Sequence, residues 1–200
     1  LAQLSSRKRK KIRRERRHVN EAGISLDIVH GYEATAEQWR IMHAFYCSTF
    51  LKKSGTPTLS LGFFEEISAT MGEQVVLVFA IHDGRAVAGS IMLRSDDALY
   101  GRHWGCREAF NSLHFEACYY QGIEYCIRHK LRLFEPGAQG EHKISRGFLP
   151  SYTWSAHWIA NEQFREAIDR YLRQEHDLIV DYHDDLMQTS PFRTVTGDDA

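Results

Sequence analysis

The chain is poor in cysteine, and its few thiols are scattered. Cys47, Cys106, Cys118 and Cys126 are the only four among 200 residues, and no two form a Cys-x-x-Cys pair. Zinc and redox motifs are therefore unsupported. On one helix, Cys118 and Cys126 would stand about 12 Å apart, beyond disulfide reach. Buried free thiols in a reducing cytoplasm are expected instead. The eleven histidines form no His-Glu-x-x-His or comparable cluster, so no metal site is expected. No apolar run approaches the roughly 18 residues of a membrane span. The basic N-terminus lacks the apolar segment of a signal peptide. Internal repeats are absent, and the one compositionally biased tract is a basic block.

What is present suits one domain with an arm. A hydrophobic fraction of 43% is ordinary for a globular protein and, at this length, enough for a core without staples. The net charge of −1 hides an asymmetry: residues 7–17 carry nine basic groups and one acid, Glu15. Taking that block from the totals of 25 basic and 26 acidic groups leaves 16 against 25, a balance of −9. Such an arm either meets a polyanion or docks on an acidic face of its own protein. It lacks interleaved aromatics for base stacking.

The expected organisation is a basic helical arm over 1–24, a domain over 25–187 and a tail over 188–200. Within it, the patterns predict a helix over 4–21, a strand over 25–30, a helix after Thr35 and a second over 59–71. An antiparallel meander follows: a buried strand over 75–81, a type I′ turn at Asp83-Gly84, and strands over 86–93 and 98–104. A helix over 113–129 has one apolar stripe, Leu113, Ala117, Tyr120, Ile123 and Ile127. A second, partly polar stripe is His114, Cys118, Gln121, Tyr125 and Arg128. A short strand over 131–134 is expected parallel to an earlier one through this crossover. Residues 151–160 alternate, so a strand with Ser155 and His157 on a hydroxyl-rich face is predicted. Asn161 caps a final amphipathic helix carrying Phe164, Ala167, Ile168, Tyr171 and Leu172. The four tryptophans are expected to pack in the core.

The stretch from Leu113 to Pro150 runs helix, strand, glycine loop, and gathers more glycines and ionisable groups than any other. In α/β sheets, the loop leaving the carboxyl end of a strand is where ligands sit. Gly137 and Gly140 permit close backbone approach. The segment Phe134-Glu135-Pro136-Gly137-Ala138-Gln139-Gly140-Glu141-His142-Lys143-Ile144, continuing Arg146-Gly147-Phe148-Leu149-Pro150, carries a family resemblance. So do Leu113-His114-Phe115-Glu116 and Cys118-Tyr119-Tyr120-Gln121-Gly122-Ile123. Together they resemble a bacterial "peptidoglycan biosynthesis/recognition" family, distantly similar to Fem-type transferases. The element order resembles the GNAT acyltransferase fold.

That resemblance covers roughly residues 1–190 and implies an α/β (α+β) architecture: a mixed, mostly antiparallel sheet with a central crossover helix. It further implies a splayed gap near the carboxyl ends of strands 98–104 and 131–134. The chain, which opens on Leu1, would be the C-terminal domain of a longer cytoplasmic protein. The implied activity is acyl or aminoacyl transfer to an amine-bearing, peptidoglycan-related precursor, with acyl-CoA or aminoacyl-tRNA as donor and no other cofactor. Arg102-His103-Trp104-Gly105-Cys106-Arg107 matches four positions of the pyrophosphate loop of CoA-using members. Arg107, however, stands where a small residue belongs, and Fem-like relatives do without the loop. Transfer needs a base, charge stabilisation and positioning. Glu116, Glu135 and His142 are the candidate catalytic groups. His114, Tyr120, Gln121, Gly137, Gln139, Gly140, Glu141, Lys143, Arg146, Ser155 and His157 are candidate binding residues, expected to converge largely on one pocket. The alternatives are a buried ion network joining Glu116 and Glu135 to Lys143 and Arg146, a non-catalytic recognition module, or tRNA binding through Arg7–Arg17.

Overall fold

Val75–His82, strand β2, is apolar almost throughout because both of its faces are covered. Val75, Leu77 and Phe79 pack with Trp39, Met42, Phe45, Tyr46 and Phe64, whereas Val76 and Val78 pack with Met92, Leu99, Ala117 and Tyr125. Strand alternation thus splits one hydrophobic run between two cores. The structure, a computed structural model, describes residues 1–52, 54–137 and 140–193.

Elements run α1 (Ser6–Glu21), β1 (Ser25–His30), α2 (Ala36–Lys52), α3 (Leu61–Met71), β2, β3 (Arg85–Arg94) and β4 (Ala98–Cys106). Next come the central helix α4 (residues 113–129), β5 (Leu133–Glu135), a 3-10 helix (Glu141–Arg146) and α5 (Glu162–Gln188). The five strands lie in chain order; all neighbours are antiparallel except β4 and β5, which are parallel across α4. Helix starts follow their caps. Thr35 and Gln38 form a reciprocal capping box ahead of α2, Ser60 caps α3, and Asn161 caps α5. The β2–β3 turn places Asp83 at φ 48° and Gly84 at φ 72°, the positive pair that turn requires.

The central helix departs from the simple pattern. It begins at Leu113–Phe115, widens into a π-turn over Glu116–Tyr120, and continues as Gln121–His129. A π-turn takes up one extra residue, rotating everything beyond it. Leu113 and Ala117 are buried as expected, but past the turn the buried residues are Gly122, Tyr125 and Cys126, and Ile127 is 73% exposed. Ser90 of β3 donates to Ala117 O at 3.1 Å inside the turn. A Cβ on Gly122 would come within 2.4 Å of the Phe134 ring, so only glycine lets the helix lie this close to β5.

Two compact units make up the chain: Lys11–Ala138, which contains the sheet, and Leu1–Lys10 with Gln139–Ala200. In the second, Leu4 bridges Phe192, and Ser5 N–H donates to Pro191 O at 2.9 Å. Two expectations fail there. Residues 151–160 form no strand, since their alternating side chains find no partner strand to pair with, and Trp154 and Trp158 are exposed rather than packed in a core. The final helix forms, but none of its residues is buried. The tail over 188–200 begins where α5 ends, and its residues 194–200 lie outside the described residues.

Candidate functional site

Strand β4 outruns its parallel neighbour. Pairing with β5 covers only Ala98↔Leu133, Leu99↔Phe134 and Tyr100↔Glu135. A bulge at Arg102 follows, where β3 partners skip from Gly101 to His103. β5 ends at Glu135, and Pro136 after it packs beside Gly101. The carbonyls of the outrunning end are met by side chains of α2: Thr49 Oγ1 donates to Trp104 O at 2.5 Å and Lys52 Nζ to Cys106 O at 3.0 Å. Pairing between the two strands therefore stops at Tyr100 and Glu135, near the carboxyl end of β5. Glu135 sits at the last β4–β5 pair, exposed, with Arg102 at 3.7 Å; the Arg102 guanidinium also lies over the Tyr100 ring. His103 packs edge-on to Tyr46 at 4.8 Å, and burial, with Arg102 beside it, pushes its pKa below the usual histidine value.

Residues 102–105 lie inside β4, not in a loop entering the helix. Gly105 has a packing reason of its own: a Cβ there would stand 1.9 Å from Phe45 O.

Glu116 and Tyr120 face α1. Glu116 is buried and accepts from Arg16 Nε and Nη2, each at 3.1 Å, and from Gln121 Nε2 at 2.8 Å. Arg16 also pairs with Glu124, and Tyr120 donates to the buried Glu15. Burial alone would lower the Arg16 pKa, but the hydrogen bond to Glu124 and the charge of Glu116 more than reverse it, so the guanidinium is held above its ordinary value. The basic arm thus docks on the acidic face of its own protein over its second half, with Ile12 and Val19 also buried. Arg13, Arg14 and Arg17 remain exposed.

His114 is packed edge-on against Trp104 at 5.3 Å and Tyr119 at 5.4 Å. In the other unit, Glu141 accepts from Tyr182 at 2.8 Å, and Arg146 Nη1 donates to His142 O at 2.7 Å. Gly140, at φ 105°, lies against the His142 imidazole, and Lys143 shares their 3-10 helix. Gly137 sits at φ 91°, and Gln139 lies outside the described residues. Ser155 and His157 do not line a cleft from a strand; they are exposed and bonded to each other at 3.0 Å, because the segment is irregular. The structure thus joins Glu116, Tyr120 and Gln121 in one network and Glu135 with Arg102 in a second contact. Arg16 and Arg102 were missed as partners. Glu15, the one acid within the basic block, was the signal that α1 had a buried side.

No helix among the described residues is long and apolar enough to cross a membrane, and no group of His, Cys, Asp or Glu among them could hold a metal.

A five-stranded mixed sheet whose last, parallel strand is reached through a crossover helix is the GNAT acetyltransferase fold. It is shared with a possible acetyltransferase from Clostridium difficile 630, at 8% identity and TM-score 0.50, over 68% of this chain and 99% of that one. A probable acetyltransferase matches with TM-score 0.50 and 12% identity, over 68% and 99%. No curated protein matches the chain. Within this fold the chain belongs to the FemAB-like family, described as peptidoglycan biosynthesis/recognition, whose model matches residues 1–194.

Proposed function

We propose that the chain transfers an acyl or aminoacyl group to the amine of a peptidoglycan-related cell-envelope precursor. The observation that carries this reading is the end of β4–β5 pairing at Glu135, beyond which β4 runs on to Cys106. Apart from the Trp104 and Cys106 carbonyls, which Thr49 and Lys52 already meet, the β4 backbone past its last partner is open to an extended ligand, and a donor laid there brings its carbonyl to Glu135. The amine attacks that carbonyl; its proton passes to the Glu135 carboxylate and on to the leaving thiol or ribose oxygen. Glu135 suits this role better than Glu116, whose oxygens already accept three hydrogen bonds from Arg16 and Gln121. Arg102 positions the Glu135 carboxylate. His142, on the 3-10 helix, is the second candidate base.

The exposed Arg13, Arg14 and Arg17 favour aminoacyl-tRNA over acyl-CoA as donor, since they offer cations to a polyphosphate backbone. The test is turnover of purified protein with each donor class and amine-bearing muropeptide acceptors. Glu135→Gln should lower kcat by about 100-fold, the scale of general-base loss, with KM kept. Binding of precursor without turnover by either donor would convert the reading to a recognition module.

A further inference from the structure

At the opposite end of the sheet, where β1 and β3 finish and β2 begins, lies a polar cavity of about 200 Å³. It is lined by His30, Tyr32, Glu73, Gln74, Arg94 and Asp96, with Ser95 between the last two. None of these residues lies at the end of the β4–β5 pairing. Its wall is pre-organised by a directional chain. His30 Nδ1 lies 3.2 Å from Glu73 O, which makes Nδ1 the donor and leaves Nε2 to accept from the buried Tyr125 hydroxyl at 3.3 Å. That hydroxyl in turn accepts from Arg94 Nη1 at 3.1 Å. His129 stacks on Tyr125 with ring centroids 4.1 Å apart.

Arg94 has an unusual position in this chain. It is half-buried, and its protein contacts use two donors: Nη1 to Tyr125 and Nε to Ser95 O at 3.4 Å. A guanidinium has five donors. Glu73 and Asp96 line the same cavity, yet neither comes within 4.0 Å of Arg94, and all three lack an ion-pair partner among the described residues. Opposite charges therefore face one small cavity without neutralising each other. An anion alone would meet the two carboxylates, and a cation alone would meet Arg94. Only a ligand bearing both charges matches both. The cavity falls below the roughly 300–1,000 Å³ that suits drug-sized ligands. We propose that this cavity is a binding site for a small zwitterion, an α-amino acid, with its carboxylate on Arg94 and its ammonium on Glu73 and Asp96.

The test is NMR titration of the His30 and His129 ring signals with pools of standard α-amino acids, both enantiomers, followed by the best-binding member alone. Saturable shifts are expected. The N-acetyl derivative and the decarboxylated amine of that member should each bind at least about tenfold more weakly, the effect of losing one charged contact worth about 1.4 kcal/mol. Arg94→Gln should remove the preference for the carboxylate and Asp96→Asn weaken the preference for the amine, with circular dichroism unchanged. Asp96 is exposed, so its variant and the two analogues decide the question even if Arg94→Gln fails to fold. The inference falls if no pool shifts either ring, or if the N-acetyl derivative binds as well as the free amino acid. Glu135→Gln should leave this binding intact, which separates the site from the transfer reaction.

Discussion

Replacing Arg16 by Met tests whether the basic arm is held by the central helix. The substitution keeps most of the aliphatic volume and removes both hydrogen bonds to Glu116, each 3.1 Å long. The Glu116 side chain, only 4% exposed, is left with Gln121 as its donor. Breaking a fully buried ion pair costs about 3–5 kcal/mol. The Arg16 side chain is 36% exposed, so water reaches the vacated place and the cost falls below that range, to about 2–3 kcal/mol. Glu124 also loses its partner, but at 42% exposure it adds little. For a chain of this size the melting temperature should fall by about 5–10 °C. The double variant Arg16→Met/Glu116→Leu leaves no orphaned charge, so it should recover most of the loss, with a coupling energy of about 2 kcal/mol. Urea titrations of wild type, both single variants and the double variant, compared at constant m-value, provide the readout. Additive single-variant effects, or a loss below about 0.5 kcal/mol for Arg16→Met, would sink the argument, since surface substitutions cost no more than that.

Four further outcomes are expected. Gly105→Ala should destabilise by more than about 3 kcal/mol in urea unfolding, because its Cβ meets the Phe45 backbone rather than a side chain that can turn aside. Gly62→Ala, near the start of α3 with nothing closer than Ser60 Oγ at 3.8 Å, should instead stabilise by about 0.5–1 kcal/mol; a loss there would contradict the helix. His103 has a folded pKa below its unfolded value of 6.5, so its contribution to stability is present in full above 6.5 and is lost as pH falls through the folded value. NMR titration should show that value rising in Arg102→Gln but staying below 6.5, because burial is the larger cause. Burial pushes the Cys126 thiol up to about 11, against the opposing charge of Arg94, so at pH 8 iodoacetamide should label Cys126 last among the four thiols by peptide mapping.

The parts of the fold legible in sequence were those written by local rules. Caps at Thr35, Ser60 and Asn161, the Asp83-Gly84 turn and the apolar run of β2 each act within a few residues, and each element appears where those signals put it. Residues 151–160 alternate as cleanly as a strand, but a strand exists only through a partner, and alternation carries no information about one. The π-turn was illegible for a related reason. Ile123 and Ile127 continue the 3.6-residue stripe begun by Leu113 and Ala117, so the composition of the helix looks regular; only the Gly122–Phe134 approach and the Ser90–Ala117 bond reveal the rotation. Of the site, the partners of Glu116 and Glu135 were not legible. Arg16 lies 100 residues from Glu116, and nothing in a basic block distinguishes the one arginine that is turned inward.

The π-turn also has a mechanical meaning. Ahead of it the helix is keyed to β3 through Ser90 and Ala117, and behind it to β5 through Gly122 and Phe134. The two keys are cut a residue out of step, as on a lock with two wards. Rotating or sliding the rod as a whole to improve one key spoils the other, so the helix cannot travel as a rigid piston. A movement coupled to ligand arrival would have to change the turn itself, by migrating the extra residue along the helix one peptide at a time. Amide hydrogen exchange should therefore report opening at Glu116–Tyr120 before the flanking turns, the one place where the rod can be unlatched.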